Sequence, residues 1–192
     1  MEKINKEKTN QKKEKKMEKQ SKWYVVTGVP SSGKTTVLNH LAKEGYKVVP
    51  EAARTLIDQE MAEGRSVAEI RSNERGFQRR VTALKIKLES ELPLKQIIFL
   101  DRAMPDSIAY YALCGIDPGE ALAVCRRNLY QKVFLMEPIT FTQDYARTES
   151  PEAIARLNDL LRDAYKQLGY EVVAVPAMSV EDRVRFIMVS IR

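Results

Sequence analysis

Eight consecutive residues constrain this chain more than any other feature. Gly28-Val29-Pro30-Ser31-Ser32-Gly33-Lys34-Thr35 fills every fixed position of G-x-x-x-x-G-K-[ST]. An apolar run, Trp23-Tyr24-Val25-Val26-Thr27, precedes it, and a stretch with Val37, Leu38 and Leu41 at helical spacing follows. A chance Gly-rich turn would not need that strand-loop-helix setting. Glycine at 28 and 33 lets backbone N–H groups converge on phosphate oxygens with no side chain between. The helix N-terminus beyond them favours an anion. Lys34 supplies a cation for β- and γ-phosphates, and the Thr35 hydroxyl a ligand for Mg²⁺. The expected nucleotide contacts are therefore Gly28, Pro30, Ser31, Ser32, Gly33, Lys34, Thr35 and Thr36.

The rest of the chain alternates short apolar runs with longer amphipathic stretches. Further strands are expected at 46–49, 97–100, 132–136 and 172–175. Helices are expected at 34–44, 51–63, 105–113, 118–128, 151–168 and from Ser179 onward. Residues 66–92 carry helical spacing through Val67, Ile70, Phe77, Val81, Leu84 and Leu88, with a break expected near Gly76. Ser150 reads as an N-cap ahead of Pro151 and Glu152. Apolar strands separated by helices predict an α/β fold, a five-stranded parallel sheet covered on both faces.

Net charge is +6, but it is unevenly placed. Residues 1–22 hold nine Lys and four Glu, leaving residues 23–192 nearly balanced. The tail has too few apolar residues to offset the entropy of ordering, so a disordered Lys-rich segment is expected at 1–22 and one domain at 23–192. With nothing aromatic interleaved, a solubilising extension is favoured over a nucleic-acid tether. The N-terminus lacks the apolar stretch of a secretory signal, and no run is long enough to span a bilayer. Cys114, Cys125 and the single His40 cannot build a four-ligand zinc site. Both thiols read as core residues and His40 as a surface or packed one. A cytoplasmic compartment is expected, with no membrane partner, and a homodimer sharing one helix face is possible on this pattern.

Nucleotide chemistry with Mg²⁺ needs a carboxylate near the metal, and Asp101 directly follows the run Ile97-Ile98-Phe99-Leu100. Capping of the next turn is the alternative role for it. Many ATP-hydrolysing proteins place Glu after such an Asp to activate water, whereas this chain has Arg102, which suits a bound anion or a transferred phosphoryl group. Glu51 and Arg54 stand at the C-terminal end of the second strand, where ligands of open α/β sheets collect. They read equally well as acceptor contacts or as a helix-start carboxylate and a surface ion pair.

Asp101-Arg102-Ala103-Met104-Pro105-Asp106-Ser107-Ile108-Ala109-Tyr110 resembles the "DR…S…AY" segment of the thymidylate kinase-like nucleoside and nucleotide kinases. The resemblance implies an Asp beside the phosphoryl-transfer site and an Arg touching the acceptor or its phosphate. With Glu51-Ala52-Ala53-Arg54 added, the chain is more similar to a group of small predicted AAA-type P-loop ATPases. That group includes the nicotinamide-riboside kinase domain of bacterial NAD-salvage proteins, and the likeness runs from Val25 to about Ile187. It implies a three-layer α/β/α P-loop NTPase fold. The chain departs from the thymidylate kinases in having no aromatic after Asp101-Arg102 and a single clear arginine in the segment 137–150.

Small P-loop kinases resemble one another in placing a lid in that segment, and the resemblance makes Arg147 the lid candidate, with a solvated loop arginine as the alternative. Arg126 and Arg127 are second-choice anion contacts. Phe77 and Gln78 could face an acceptor ring, although Phe77 matches the apolar stripe of its helix, and Pro176-Ala177-Met178 is where related folds seat adenine. The leading expectation is a phosphotransferase that binds Mg-ATP. Lys34 and Arg147 stabilise transferred charge, Thr35 and Asp101 organise Mg²⁺, and Arg102, Glu51 and Arg54 hold a nucleoside-, nucleotide- or pyridine-riboside-like acceptor. The alternative is an ATPase or nucleotide-dependent switch acting on a protein partner.

Overall fold

The computed structural model describes residues 20–125, 129–139 and 151–191. Its strands are β1 (Trp23–Thr27), β2 (Lys47–Val49), β3 (Ile98–Asp101), β4 (Lys132–Met136) and β5 (Val172–Val175), and every pairing is parallel, in the order β2-β3-β1-β4-β5. Among the described residues eight helices connect them: α1 (Lys34–Lys43), α2 (Ala52–Ala62), α3 (Val67–Arg71), α4 (Glu74–Ser90), α5 (Asp106–Leu113), α6 (Pro118–Val124), α7 (Pro151–Lys166) and α8 (Val180–Ser190).

Strand alternation divides the core between the two faces of the sheet. Val25, Ile98, Leu100, Val133 and Leu135 point to one side and pack with Ile108, Ala109, Ala121, Leu161 and Tyr165 from α5, α6 and α7. Val26, Phe99, Phe134, Met136 and Val175 point to the other and pack with Val37, Leu38 and Leu41 of α1 and Val184 and Ile187 of α8. Each fully buried Val, Leu, Ile, Phe or Met among them contributes about 1.5–3 kcal/mol. Only the central strands are buried on both faces; β2 at one edge and most of β5 at the other remain half-exposed. A satellite cluster of Ala52, Ile70, Phe77 and Val81 joins α2, α3 and α4.

Three expectations need correction. The break within 66–92 falls at Ser72-Asn73, not near Gly76. The Asn73 side chain accepts the Gly76 N–H at 2.9 Å and caps α4, which places Gly76 inside the first helical turn. The two thiols are half-buried, packed at the rim of the core instead of inside it. The helix expected at 118–128 ends at Val124. Arg126, Arg127, Asp144, Arg147, Glu149, Ser150 and residues 1–19 of the Lys-rich tail lie outside the described residues.

The register brings the strand ends level. Val26 pairs with Asp101 and Val49 with Leu100, so Gly28, Glu51 and Arg102 leave the sheet along one edge. Among the described residues, no helix is long and apolar enough to cross a membrane.

Candidate active site

The loop after β1 is shaped by three left-handed residues. Gly28 has φ 144° and Gly33 φ 83°, and a Cβ on Gly28 would come within 2.7 Å of the Met136 carbonyl oxygen. Both positions therefore demand glycine. Ser31 holds φ 60° with a side chain present, a strained conformation of the kind found at ligand-binding turns. Lys34 is buried and donates from Nζ to the carbonyls of Gly28 at 3.0 Å and Val29 at 2.8 Å and to Ser32 Oγ at 3.3 Å. Burial, reinforced by Arg102, pulls its amine down to about 7. Thr35, Thr36, Pro30 and Ser31 are exposed at the loop and the start of α1, while Ser32 is buried.

Asp101 closes β3 beside this loop. Its Oδ1 is buried and has no hydrogen-bond partner among the described residues. Burial, with Glu51 nearby, pushes its carboxyl up to about 6. A buried carboxylate oxygen lacking a donor is costly unless a cation completes it. That orphaned oxygen, with the exposed hydroxyl of Thr35 at the loop, fits Mg²⁺, which takes one or two protein oxygens and fills its remaining positions from phosphates and water.

Arg102 follows at φ 65°, again left-handed without being glycine. Its Nε donates to Glu51 Oε1 at 2.9 Å and its Nη1 to Asp106 Oδ1 at 3.3 Å, while the guanidinium lies 5.3 Å from the Tyr110 ring centre. Burial opposes the charge, but Tyr110, Glu51, Asp106 and Asp101 together hold Arg102 firmly protonated. Glu51 thus pairs with Arg102 and not with Arg54, which is exposed on α2. Asp106 is fully buried and anchors the assembly: it accepts from Thr27 Oγ1 at 2.5 Å, from the Ala103 N–H at 3.0 Å and from the Tyr165 hydroxyl. Despite its burial, Lys85, Arg102 and these donors hold its carboxyl below the usual range.

Lys34, Glu51 and Arg102 border one cavity of about 790 Å³, whose lining includes neither Asp101 nor Asp106. Pro30, Ser31, Lys34 and Thr35 line one part of its wall, and Glu51, Arg54 and Arg102 another. Phe77, Gln78 and Tyr110 line it as well, so Phe77 serves both the apolar stripe of α4 and the cavity wall. Arg147, the lid candidate, lies outside the described residues.

Sequence reasoning passed over two side chains. Asp106 sits in the segment already singled out, yet its partners lie 79 and 59 residues away. Arg183 on α8 is buried and donates to three carbonyls: Ser32 at 2.5 Å, Pro176 at 2.9 Å and Glu137 at 3.1 Å. It ties the phosphate loop to the segments after β4 and β5. A cation one residue before Val184 and four before Ile187 on an otherwise apolar stripe was the readable signal.

Residues 23–183 match the AAA domain family model. Solved structures share the fold across nearly the whole chain. Deoxyadenosine kinase from M. mycoides is 16% identical, with a TM-score of 0.59 over 88% of this chain and 97% of that one. Shikimate kinase from Acinetobacter baumannii is 21% identical, with a TM-score of 0.54 over 92% and 96%. A NadR protein solved with NAD and AMP-PNP is 20% identical, with a TM-score of 0.63 over 89% of this chain and 48% of that one, so the chain spans about half of its length. No curated protein matches the chain by sequence. The chain belongs to the AAA domain family and has the α/β P-loop fold that small-molecule kinases share.

Proposed function

We propose that residues 23–192 form a P-loop phosphotransferase that moves the γ-phosphoryl of ATP to a hydroxyl or phosphate of a small acceptor. One observation carries this reading: the phosphate loop and the Glu51–Arg102 pair open onto the same cavity. An acceptor seated against Glu51 and Arg102 meets the end of a triphosphate held at Gly28–Thr35. In the transfer, an acceptor oxygen forms a bond to the γ-phosphorus as the bond to the β-γ bridging oxygen breaks. ADP leaves, and an acceptor hydroxyl passes its proton to the Glu51 carboxylate. Lys34 exchanges its loop carbonyls for phosphate oxygens, Arg102 neutralises charge on the acceptor side, and Arg54 borders the entrance. Thr35 and Asp101 would hold Mg²⁺, which supplies neutralising charge to the β- and γ-phosphates when bound. Arg147 is the residue we assign to closure over the transferring group, by likeness to small P-loop kinases. The unpaired thiols suit a cytoplasmic setting.

The neighbours support the reading through their fold: deoxyadenosine, shikimate and thymidylate kinases all use it for small acceptors. A coupled ADP-release assay over nucleosides, nucleotides and pyridine ribosides tests it. Acceptor-dependent ADP production is the expected outcome. Nucleotide binding with no stimulation by any acceptor would favour the switch reading, in which the protein answers to a macromolecular partner.

A further inference from the structure

Lys85 is a buried ammonium to which the transfer chemistry gives no task. It lies on α4 one turn beyond Val81 and two beyond Phe77, is 6% exposed, and lines the same cavity as Arg102 and Lys34. An ammonium has three donors. Among the described residues Lys85 spends one, from Nζ to Ser107 Oγ at 3.2 Å, and forms no ion pair. Asp106, Glu51 and Glu89 act on it only at longer range.

Each of those carboxylates is already engaged. Asp106 is taken by Thr27, Tyr165, Ala103 and Arg102, and Glu51 by Arg102. Glu89 accepts from the Met104 N–H at 2.9 Å and the Tyr130 hydroxyl at 2.7 Å. The charged wall of the cavity is lopsided too: Lys34, Arg54, Arg71, Lys85 and Arg102 face Glu51 and Glu74. Glu74 is itself held by Arg71 at 2.8 Å and Gln78 at 2.9 Å. An ammonium withdrawn from water with most of its donors unused is expensive, whereas a ligand anion would satisfy both its charge and its donors.

We propose that Lys85 is a specificity-determining residue and that the acceptor carries an oxyanion, either a carboxylate or a phosphate monoester, which lodges against its Nζ. This rests on the phosphotransferase reading and narrows its acceptor from any small hydroxyl compound to an anionic one. A neutral acceptor leaves the Lys85 donors unmatched. An anionic one gains charge-assisted hydrogen bonds in a site shielded from water.

The test titrates inorganic phosphate and, separately, acetate into the full chain saturated with Mg-ADP, with chloride at matched ionic strength as the control. The wild type is expected to bind at least one anion beyond the chloride control, and Lys85→Met to bind it about tenfold more weakly with Mg-ADP affinity unchanged. Preference for phosphate over acetate assigns a phosphomonoester, and the reverse a carboxylate. A nucleoside against its 5′-monophosphate, and a hydroxy acid against its amide, should repeat that preference in the wild type and lose it in the variant. Should Lys85→Met not fold, slower acylation of Lys85 by an N-hydroxysuccinimide ester in the presence of the anion reads the same contact in the wild type. No anion binding beyond chloride, or equal binding by wild type and variant, overturns the proposal. Failure of Mg-ADP to bind at all would instead strike the phosphotransferase reading, and the anion titration without nucleotide would still report on Lys85.

Discussion

Lys34 shows how single residues are poised here. Its ammonium is held by two carbonyls and a hydroxyl of the loop it serves, in a pocket that already disfavours its charge. Phosphate oxygens offer that ammonium a better counter-charge than neutral carbonyls do. Lys34→Ala should therefore lower turnover by about 10²–10³, or roughly 3–4 kcal/mol of transition-state stabilisation, with the fold retained. Acceptor-dependent ADP release and circular dichroism check the two halves of that statement, and near-normal turnover would contradict the site. Glu89 makes a different point at this scale. It is deeply buried, and burial raises its carboxyl above the ordinary value even though Tyr130 and Met104 donate to it. An acid whose folded value is raised favours folding at low pH, and that contribution is lost as pH climbs from its unfolded value through the folded one. Glu89→Gln keeps the shape and an acceptor without the ionisation. Urea midpoints measured between pH 4 and 8 should fall less with rising pH in the variant than in the wild type.

At the scale of elements, the phosphate loop depends on a helix distant in sequence. Arg183 joins α8 to Ser32 of the loop, to Glu137 after β4 and to Pro176 after β5. Arg183→Met leaves the buried Ser32 carbonyl, and the more exposed carbonyls of Pro176 and Glu137, without that donor, so it should destabilise the fold by about 1–3 kcal/mol and weaken Mg-ADP binding as the loop loses its brace. Thermal denaturation with and without Mg-ADP measures both effects; an unchanged nucleotide-dependent shift would show that the brace does not shape the loop. Much at this scale was legible beforehand. Strand alternation assigns Val25 and Val26 to opposite faces, and the Gly28–Thr35 spacing needs only local chemistry. The break ahead of α4 was misplaced because a glycine is a weaker stop than a side-chain cap, and Asn73 caps three residues upstream of Gly76. Lys85 shares the face of Phe77 and Val81, so its oddity could be read from the sequence. Its use could not, since the cavity it borders forms only when α4 meets the strand ends.

For the whole molecule, the sheet carries the groups of the candidate site at one end of its strands, and the core behind them covers both faces. Residues 20–22 are already tied down. Ser21 donates its backbone N–H to the Leu129 carbonyl at 2.9 Å, and Lys22 donates its own to that of Leu94 at 2.7 Å. Deleting residues 2–19 removes most of the excess positive charge and none of these contacts. Melting temperature and Mg-ADP affinity should therefore stay the same, and a large loss of either would give the Lys-rich segment a structural or binding role. The central claim is that Gly28–Thr35, with Lys34 at its heart, grips the phosphates of a magnesium nucleotide, and calorimetric titration of Mg-ATP and Mg-ADP into the full chain tests it most directly. Saturable one-site binding that Lys34→Ala weakens by at least about tenfold is the result this account predicts; no heat from either nucleotide, or binding indifferent to Lys34, would contradict it.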